Sequence, residues 1–408
     1  MIRFVHTADV HFGVENYGRI DPKTGIHSRL LDFYNSLSFC VDKAIAENVD
    51  FFVFAGDAYK TAHPSPTQQR LLWECFLRLF KAEIPIVMVV GNHDNPMSFG
   101  KAHALDLFNQ LPLNGFHVIS KPCQFVMQTK SGPVSIVGIP WPSRSNIALQ
   151  NNNMNAGAPD IIKYISNALT SIIDNCAQQV DASLPCVLVG HLTVSNGLFS
   201  GSEKRAIYGN DPIIMPSTLA REPFDYVALG HLHRFQNLNE GGTTPIIYPG
   251  SIERIDFGER ADDKGFCLVT IHDKTKTTYE FIKTPARRFI QLELTLESAE
   301  HQTDQIVHAL QQQSIDDAII KIMYHVPAGI KDTVNKHVLQ QLCASSFHCA
   351  SIMPIHTYEA KERRVALSVG MDFDDIMTRY FLSKPELKNR TADLIQKIHT
   401  LEATEECE

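Results

Sequence analysis

Five polar clusters in the first 233 residues constrain the fold of this chain more than any other feature. In order, they are Asp9-Val10-His11, Gly56-Asp57, Gly91-Asn92-His93-Asp94, Gly190-His191 and Gly230-His231-Leu232-His233. The last four directly follow short apolar runs, which are Phe51–Ala55, Ile84–Val90, Pro185–Val189 and Asp225–Leu229. Such β-rich runs are typical of strands buried on both faces. The pattern predicts a sheet whose functional residues lie just beyond the carboxyl ends of its strands.

Helical patterns alternate with these strands. Their apolar residues recur at the spacing of an amphipathic helix, and the two clearest examples span Arg29–Glu47 and Thr67–Lys81. Strand alternating with helix predicts a layered α/β domain. Further along, Gly265–Ile271 and Thr277–Lys283 predict a hairpin that closes the sheet, and Pro285-Ala286-Arg287-Arg288 predicts a boundary. We therefore expect the first domain to cover residues 1–284.

The remainder of the chain has a different pattern. Residues 285–365 predict a small βαβαβ unit, with strands at 289–296, Ala318–His325 and Ala350–Tyr358 and helices at 302–313 and 330–344. Residues 366–408 predict a helix-rich tail, whose first helix carries the apolar residues Phe373, Ile376, Tyr380 and Phe381. An amphipathic helix usually packs onto its own domain. The alternative that we favour is docking onto a partner protein.

Composition excludes several classes of protein. A net charge of −8 over 408 residues argues against a protein that holds nucleic acid mainly through a broad basic face, although bound cations or a partner can supply positive charge. The nine cysteines contain no C-x-x-C pair, so zinc fingers and redox motifs are not indicated. No apolar run approaches the roughly 20 residues of a membrane helix, and no signal-peptide pattern is present. We expect a cytoplasmic protein without membrane contact.

The clusters have the chemistry of metal ligands. Side chains two apart in an extended segment point the same way, so Asp9 with His11, and His231 with His233, are each expected to face one pocket. Carboxylate, amide and imidazole groups suit first-row divalent ions, and Asp57 can bridge two of them. Two such ions about 3.5–4 Å apart can clamp a phosphate and activate water. Each cluster alone is common by chance, but five in this order indicate phosphoester hydrolysis.

Together the motifs D-x-H, G-D, G-N-H-D, G-H and G-H-x-H resemble the calcineurin-like metallophosphoesterase superfamily. The resemblance implies a four-layer α/β sandwich with a dinuclear metal site. It implies one ion at Asp9, His11, Asp57 and His233, and the other at Asp57, Asn92, His191 and His231. It also implies that His93 contacts the scissile phosphate and protonates or stabilises the leaving oxygen, with Asp94 positioning its ring.

Other segments resemble the SbcD family of nuclease subunits and its archaeal and eukaryotic counterparts. These segments are Phe4–Gly13, Tyr248-Pro249-Gly250-Ser251, Phe257-Gly258-Glu259 and Lys264-Gly265-Phe266. This resemblance implies a DNA-capping domain at 285–365 and ATPase-binding helices at 366–408. The implied activity is a Mn²⁺-dependent nuclease that degrades double-stranded DNA ends and cuts hairpins or single strands. The implied partners are DNA, an SbcC-like ATPase and a second copy of the chain, bound through the nuclease domain at the helix of 29–47 or 67–81.

The substrate is the part of this interpretation that has rivals. Lys60 stands where SbcD relatives often carry a histidine linked to handling of the substrate end, which leaves the balance of exonuclease and endonuclease activity open. Candidate DNA contacts are Lys60, His63, Arg144, Arg254, Arg260 and the run Lys361-Glu362-Arg363-Arg364. One alternative is a phosphodiesterase that acts on small nucleotides without an ATPase, and another is a non-catalytic metal-bound scaffold. The added domains argue against the first, and the complete ligand set with His93 argues against the second.

Overall fold

The structure of the chain is a computed structural model that describes residues 1–96, 101–110, 114–142, 158–201, 211–356, 371–384 and 386–405. Its strands are β1 (Ile2–Thr7), β2 (Phe51–Phe54), β3 (Ile86–Val89), β4 (Phe116–Ile119), β5 (Cys123–Thr129), β6 (Gly132–Ile139), β7 (Cys186–His191), β8 (Thr193–Val194), β9 (Ile213–Ile214), β10 (Tyr226–Gly230), β11 (Gln236–Asn237), β12 (Ile246–Tyr248), β13 (Gly265–Asp273), β14 (Lys276–Lys283), β15 (Phe289–Thr295), β16 (Ile319–Val326) and β17 (His348–His356). Its helices are α1 (Ser28–Ala46), α2 (Pro66–Lys81), α3 (Asp106–Gln110), α4 (Ala158–Gln179), α5 (Pro216–Leu219), α6 (Gln302–Gln311), α7 (Lys336–Leu342), α8 (Phe373–Leu382) and α9 (Thr391–Glu405).

The described chain divides into two compact units. The first comprises Met1–Leu294, Thr303–Met323 and Val334–Met353, and the second comprises Thr295–Gln302, Tyr324–Thr333 and the described part of Pro354–Glu408. In the second unit α8 contacts α9, and His399 Nε2 lies 2.7 Å from Asp374 Oδ1. The domain limits at residues 284 and 365 stay predictions. Within the described ranges no helix combines the length and the apolar character that crossing a bilayer requires.

Two six-stranded sheets occupy the first unit. One has the order β14-β13-β1-β2-β3-β4, in which β1 to β4 are parallel and β13 is antiparallel to its neighbours. The other has the order β11-β12-β10-β7-β6-β5, in which β12, β10, β7 and β6 are parallel. Parallel strands end at the same edge of a sheet, so each sheet has an edge where the loops after its strands gather. This arrangement decides where the polar clusters meet.

The sheets pack face to face and are covered by helices on their outer faces. Phe4 and Phe51 of the first sheet share a buried cluster with Val187 and Tyr226 of the second. Residues of α1 and α2 pack with the outer face of the first sheet, and residues of α4 pack with that of the second. Apolar residues on both faces of the parallel strands are what such burial requires. The expected four-layer α/β sandwich is confirmed.

Beyond the sandwich, β15, β16 and β17 form a three-stranded sheet in that order. Helix α6 lies between β15 and β16 in sequence, and α7 between β16 and β17, so the elements follow the predicted βαβαβ order. Helix α7 is shorter than the predicted 330–344, because Asn335 caps it through the backbone amides of His337 and Val338. Strand β17 starts two residues earlier than predicted, and the expected end at residue 358 falls outside the described ranges.

Candidate metal centre

All seven candidate metal ligands lie where strands of the two sheets end. Asp9 and His11 follow β1, Asp57 follows β2 and Asn92 follows β3. The second sheet contributes His191 at the end of β7, and His231 and His233 after β10. Six of the seven are buried, and Asn92 is half-buried. The clusters that are far apart in sequence therefore converge at one edge of the sandwich.

We expected an extended backbone at the D-x-H and H-x-H pairs. The backbone there is not extended. Asp9, His11 and Asp57 have φ angles of 52°, 52° and 58°, and His231 has a φ of 105°. Non-glycine residues seldom adopt positive φ, and strained backbone of this kind clusters at functional sites. The side chains converge because the chain turns sharply after each strand, so the extended geometry that we expected was wrong.

One group of ligand atoms comes from Asp9, His11 and His233. Their candidate ligand atoms all lie within 4.8 Å of one another. The Nε2 atoms of His11 and His233 are 3.1 Å apart, and His11 Nε2 is 3.7 Å from Asp57 Oδ2. Asp9 also accepts hydrogen bonds from the backbone amide of His231 at 3.0 and 3.1 Å, which ties this group to the loop after β10.

A second group lies on the other side of Asp57. Asn92 Oδ1 is 3.0 Å from His191 Nε2 and 3.2 Å from His231 Nδ1. The same Asp57 oxygen that faces His11 is 3.4 Å from His191 Nε2. Asp57 thus stands between the two groups, where a carboxylate that bridges two ions would be placed.

Three of the histidines have a hydrogen-bond partner at the ring nitrogen that faces away from the centre. His191 Nδ1 donates to the carbonyl of Ala55 at 2.7 Å, and His233 Nδ1 donates to Glu259 Oε1 at 2.9 Å. His231 Nε2 lies 3.1 Å from Asp211 Oδ2. Such partners fix the tautomer, so that the other ring nitrogen presents a lone pair. Asp211 was missed in the sequence, and Glu259 was noted only as part of a family-like segment.

This donor set fits divalent cations. Because Nδ1 of His191 and of His233 donates to Ala55 and Glu259, the neutral form of each ring presents Nε2 as the acceptor, and a divalent ion would take the place of any proton on it. These nitrogens face the oxygens of Asp57 and Asn92 and the imidazole of His11. Lone pairs that converge in a buried space need a positive charge between them. The His/Asp cluster is therefore suited to divalent metal ions.

Burial and mutual charge shift the titration of these groups. Burial would raise the pKa of Asp57, but the imidazoles, His191 foremost, outweigh it and hold that pKa well below its usual range. Burial would lower the pKa of His191, but the charge of Asp57 raises it to about 9. Burial raises the pKa of Asp9 to about 6 and lowers the pKa of His11 well below its usual value. His11 is therefore neutral, as a metal ligand must be.

His93 lies at the opening of the centre, and its side chain is 44% exposed. Its Nδ1 donates to the backbone carbonyl of Lys60 at 2.9 Å, and its Nε2 is 4.0 Å from Asp57 Oδ2. Its backbone amide donates to Asp57 Oδ1 at 2.9 Å. The ring is therefore oriented by a carbonyl of the loop after β2, with Nε2 directed toward the centre.

Asp94 differs from its expected role of positioning the His93 ring. Its buried carboxylate accepts hydrogen bonds from four backbone amides at 2.9–3.2 Å, those of Asp57, Ala58, Tyr59 and Gly91. Burial, followed by the charge of Asp57, raises its pKa to about 7. Asp94 thus joins the loops after β2 and β3, and it affects His93 through the backbone.

The candidate DNA contacts are in different environments. Lys60 and His63 are exposed on the segment between β2 and α2, and Arg260 is exposed although it donates to the carbonyl of Phe257 at 3.0 Å. The guanidinium of Arg254 is half-buried and donates to the carbonyls of Asp262 and Arg287 at 2.9 and 3.0 Å. Its interactions are therefore internal. Arg144 and the run at 361–364 lie outside the described residues.

The four apolar residues of α8 do not form one exposed face. Phe373 is 52% exposed and Tyr380 is 48% exposed, whereas Phe381 is buried and Ile376 is half-buried. Leu382, which the sequence analysis did not single out, is 47% exposed. The packed side of α8 is thus distinct from a side that presents Phe373 and Tyr380.

Comparison with known proteins gives one family and several similar structures. The family model for calcineurin-like phosphoesterases matches residues 2–235, more than half of the chain and the part that carries all seven candidate ligands. A dimetal phosphatase from Danio rerio is 12% identical, with a TM-score of 0.40 over 69% of this chain and 99% of that one. The protein TT1561 of Thermus thermophilus is also 12% identical, with a TM-score of 0.37 over the same shares. A metallophosphoesterase from Sphaerobacter thermophilus is 15% identical, with a TM-score of 0.26 over 70% of this chain and 89% of that one.

Proposed function

The chain belongs to the calcineurin-like phosphoesterase family, and from this premise we propose that it is a DNA nuclease that works with an SbcC-like ATPase. The family and the His/Asp cluster make it a metal-dependent phosphoester hydrolase. The proposed substrates are double-stranded DNA ends, hairpins and single strands, in end processing for repair and recombination. Mn²⁺ is the proposed native metal, although Fe²⁺, Zn²⁺ and Co²⁺ suit the same ligands.

The residues of the centre have distinct tasks in hydrolysis. Bound divalent ions supply Lewis-acid stabilisation of the charge that develops on the phosphate. Asp57, Asp9 and the imidazoles would hold those ions. His93 keeps its Nδ1 proton on the Lys60 carbonyl, so its Nε2 is the atom that can donate a proton to the leaving oxygen. Because the ring is partly exposed, a phosphodiester can reach it from solvent.

The observation that carries the proposal of a DNA substrate is the three-stranded sheet β15-β16-β17. It follows the sandwich in sequence, where the resemblance to SbcD implies a DNA-capping domain. This addition is the reason that we favour DNA over a small nucleotide as the substrate. The exposed Lys60 supports the same substrate, because it belongs to the segment whose carbonyl holds His93. A cation there suits a phosphate backbone.

We assign the ATPase contact to α8. Phe373 and Tyr380 are seven residues apart, so they lie on one side of the helix, and both are about half exposed. That pattern fits an amphipathic helix that lies in a groove of a partner. A second copy of the chain is proposed to bind through the nuclease domain, at α1 or α2.

A truncation tests the ATPase contact. Ending the chain near residue 370 should abolish complex formation with the cognate ATPase and leave hydrolysis of a small phosphodiester unchanged. The matched point variants are Phe373→Ser with Tyr380→Ser. An intact complex after truncation, measured by size-exclusion chromatography with light scattering, would refute the assignment.

The substrate proposal is tested with end-labelled linear duplex and hairpin DNA. The purified chain is incubated with Mn²⁺, with and without the cognate ATPase and ATP, beside a small phosphodiester. We expect degradation of DNA that the ATPase with ATP enhances and that His93→Leu abolishes. Turnover of the small phosphodiester alone, with DNA intact in every condition, would keep the metal centre and favour the small-nucleotide alternative.

A further inference from the structure

Behind the metal centre, a fully buried carboxylate holds the ring of His233. Glu259 Oε1 accepts the hydrogen bond from His233 Nδ1 at 2.9 Å, and the Glu259 side chain has no solvent exposure. Its other oxygen accepts from the backbone amide of Ile255 at 3.0 Å and lies 2.7 Å from the ammonium of Lys264. Both oxygens of Glu259 are thus engaged, one by the ring and one by a cation.

The side chain of Lys264 binds the backbone of the same histidine. Its buried ammonium donates to the carbonyl of His233 at 2.9 Å and to Ser251 Oγ at 2.9 Å. The side chain of Lys264 also has no solvent exposure. His233 is therefore fixed at two points, at its ring by Glu259 and at its carbonyl by Lys264, and these two residues pair with each other.

A buried ion pair is weak evidence for a purely stabilising role. Removing two charges from water is costly, and replacing such a pair by apolar residues of similar volume is often neutral or stabilising. The geometry here has a more specific consequence. As the acceptor for Nδ1–H, Glu259 leaves the Nε2 lone pair of His233 directed at His11 Nε2, 3.1 Å away.

We propose that Glu259 and Lys264 are positioning residues for one of the two metal sites, the one that Asp9, His11 and His233 form. They set the tautomer and the orientation of the His233 ring before any ion arrives. The histidine rings of the other group have partners of their own. His191 contacts the carbonyl of Ala55, and His231 contacts Asp211. Loss of Glu259 should therefore weaken one site and spare the other. This inference concerns the metal centre and does not depend on DNA being the substrate.

Two double variants isolate the hydrogen bond to the ring. In Glu259→Met with Lys264→Met, the ion pair is replaced by apolar side chains and His233 Nδ1 loses its acceptor. In Glu259→Gln with Lys264→Met, the ion pair is equally absent, but the amide oxygen can still accept from Nδ1. Lys274→Met is the control for a lost ion pair away from the centre, since Lys274 pairs with Asp225 at 3.5 Å.

The readout is calorimetric titration of the metal-free full chain with Mn²⁺ alone, beside thermal unfolding. We expect two Mn²⁺ per chain in the wild type and in Lys274→Met. In the Met/Met variant one site should bind about 10–100-fold more weakly. The Gln/Met variant should bind at that site more tightly than Met/Met at a similar unfolding temperature, and its remaining difference from the wild type measures the contribution of Lys264. Wild-type binding at both sites in Met/Met, or equal weakening in Gln/Met and Met/Met, would overturn the proposal.

A measurement on the wild type keeps the proposal testable if a variant fails to fold. Nitrogen-15 spectra of histidine rings in the metal-free chain distinguish protonation at Nδ1 from protonation at Nε2. His233, assigned by comparison with a His233→Gln sample, should be protonated at Nδ1. Protonation at Nε2 would contradict the role given to Glu259.

Discussion

Among single residues, His93 and Asp94 show how neighbours in one motif take different tasks. The exposed ring of His93 is held by the Lys60 carbonyl, whereas the buried carboxylate of Asp94 gathers amides of two loops. The loop after β2 carries Asp57, and the loop after β3 carries Asn92 and His93. Backbone hydrogen bonds to Asp94 thus help to set the distance between the Asp57 carboxylate and the His93 ring.

The first prediction concerns His93→Leu. Since His93 is predicted to be the proton donor and not a ligand, the variant should keep the Mn²⁺ content of the wild type. Its kcat on a small phosphodiester should fall by about 10²–10⁴-fold, the usual contribution of general acid catalysis. Metal analysis and steady-state kinetics on the same sample check both parts. An active variant, or one that loses its metal, would contradict the role.

At this scale the sequence predicted the convergence of the candidate ligands better than it predicted their hydrogen-bond partners. The ligand candidates are recognisable because each follows a strand in a short motif. Asp211 and Glu259 lie 20 and 26 residues from the histidines that they contact, and no local pattern connects them. The role of Asp94 could not be read from G-N-H-D either, because its partners are mainly amides 35–37 residues away.

Among the elements, β1 and β10 are joined across the two sheets by His6. Its Nε2 donates to the carbonyl of Leu229 at 3.2 Å, and its Nδ1 accepts from the hydroxyl of Tyr226 at 3.0 Å. The ring is completely buried between the sheets. Burial lowers the pKa of His6 to about 3, so the folded protein contains the neutral imidazole.

This burial predicts a pH dependence of stability. The folded pKa of about 3 is below the unfolded value, near 6.5, so the unfolded chain binds more protons between these two values. The stabilisation is complete above about pH 6.5 and is lost by about 1.4 kcal/mol per pH unit as the pH falls toward 3. Chemical denaturation between pH 4 and 6 should show that the free energy of unfolding changes less steeply with pH in His6→Gln than in the wild type. The exposed His337→Gln is the control, and an unchanged slope in His6→Gln would contradict the account.

Helix α1 is tied to the segment before β15 by a cluster of charges. Asp32 accepts from Arg29 at 2.7 Å and from two nitrogens of Arg287 at 2.7 and 2.5 Å. Arg287 also pairs with Asp317 at 2.6 Å and lies 3.5 Å above the ring of Phe347. Arg29 is fully buried. Asp32 thus contacts two guanidinium groups where β15 meets the sandwich, and Glu253 Oε1 lies 3.6 Å from Arg29 as a second carboxylate.

Removing the Asp32 carboxylate should be costly. Asp32→Ala leaves the buried guanidinium of Arg29 with Glu253 alone, whose Oε1 is 3.6 Å from Arg29 Nη1. It also removes the carboxylate that Arg287 contacts, so we expect a loss of about 3 kcal/mol in the free energy of unfolding, the lower end for a broken buried pair. Asp42→Ala is the control, since Asp42 pairs with Arg78 at the surface and its loss should cost at most about 1 kcal/mol. Denaturant titrations of both variants provide the comparison. Equal losses of unfolding free energy in the two variants would contradict the expectation that Asp32 stabilises the fold more than a surface ion pair does.

Strands and most helices were predictable because their apolar periodicity is local. The first and last residues of these elements were less predictable. The capping side chain of Asn335 delays the start of α7 by six residues relative to the prediction, and Pro327 and Gly329, which has a positive φ, precede the predicted start between β16 and α7. Periodicity also did not identify the charge cluster around Asp32, because Arg287 is 255 residues away from it.

For the molecule as a whole, the metal centre depends on both sheets. The first sheet supplies Asp9, His11, Asp57 and Asn92, and the second supplies His191, His231 and His233. The buried cluster between the sheets holds these two sets in register. The sequence predicted which residues converge here, but the distances between them arise only when the two sheets pack.

The central claim is a two-ion centre in which Asp57 contributes to both sites. It is tested most directly by Mn²⁺ titration and phosphodiester hydrolysis of the wild type and of Asp57→Asn. We expect two ions per chain in the wild type. In the variant both sites should weaken and hydrolysis should fall by at least about 10²-fold, since the bridging charge is lost. Two tightly bound ions in Asp57→Asn, or full hydrolysis by the metal-free wild type, would contradict the account.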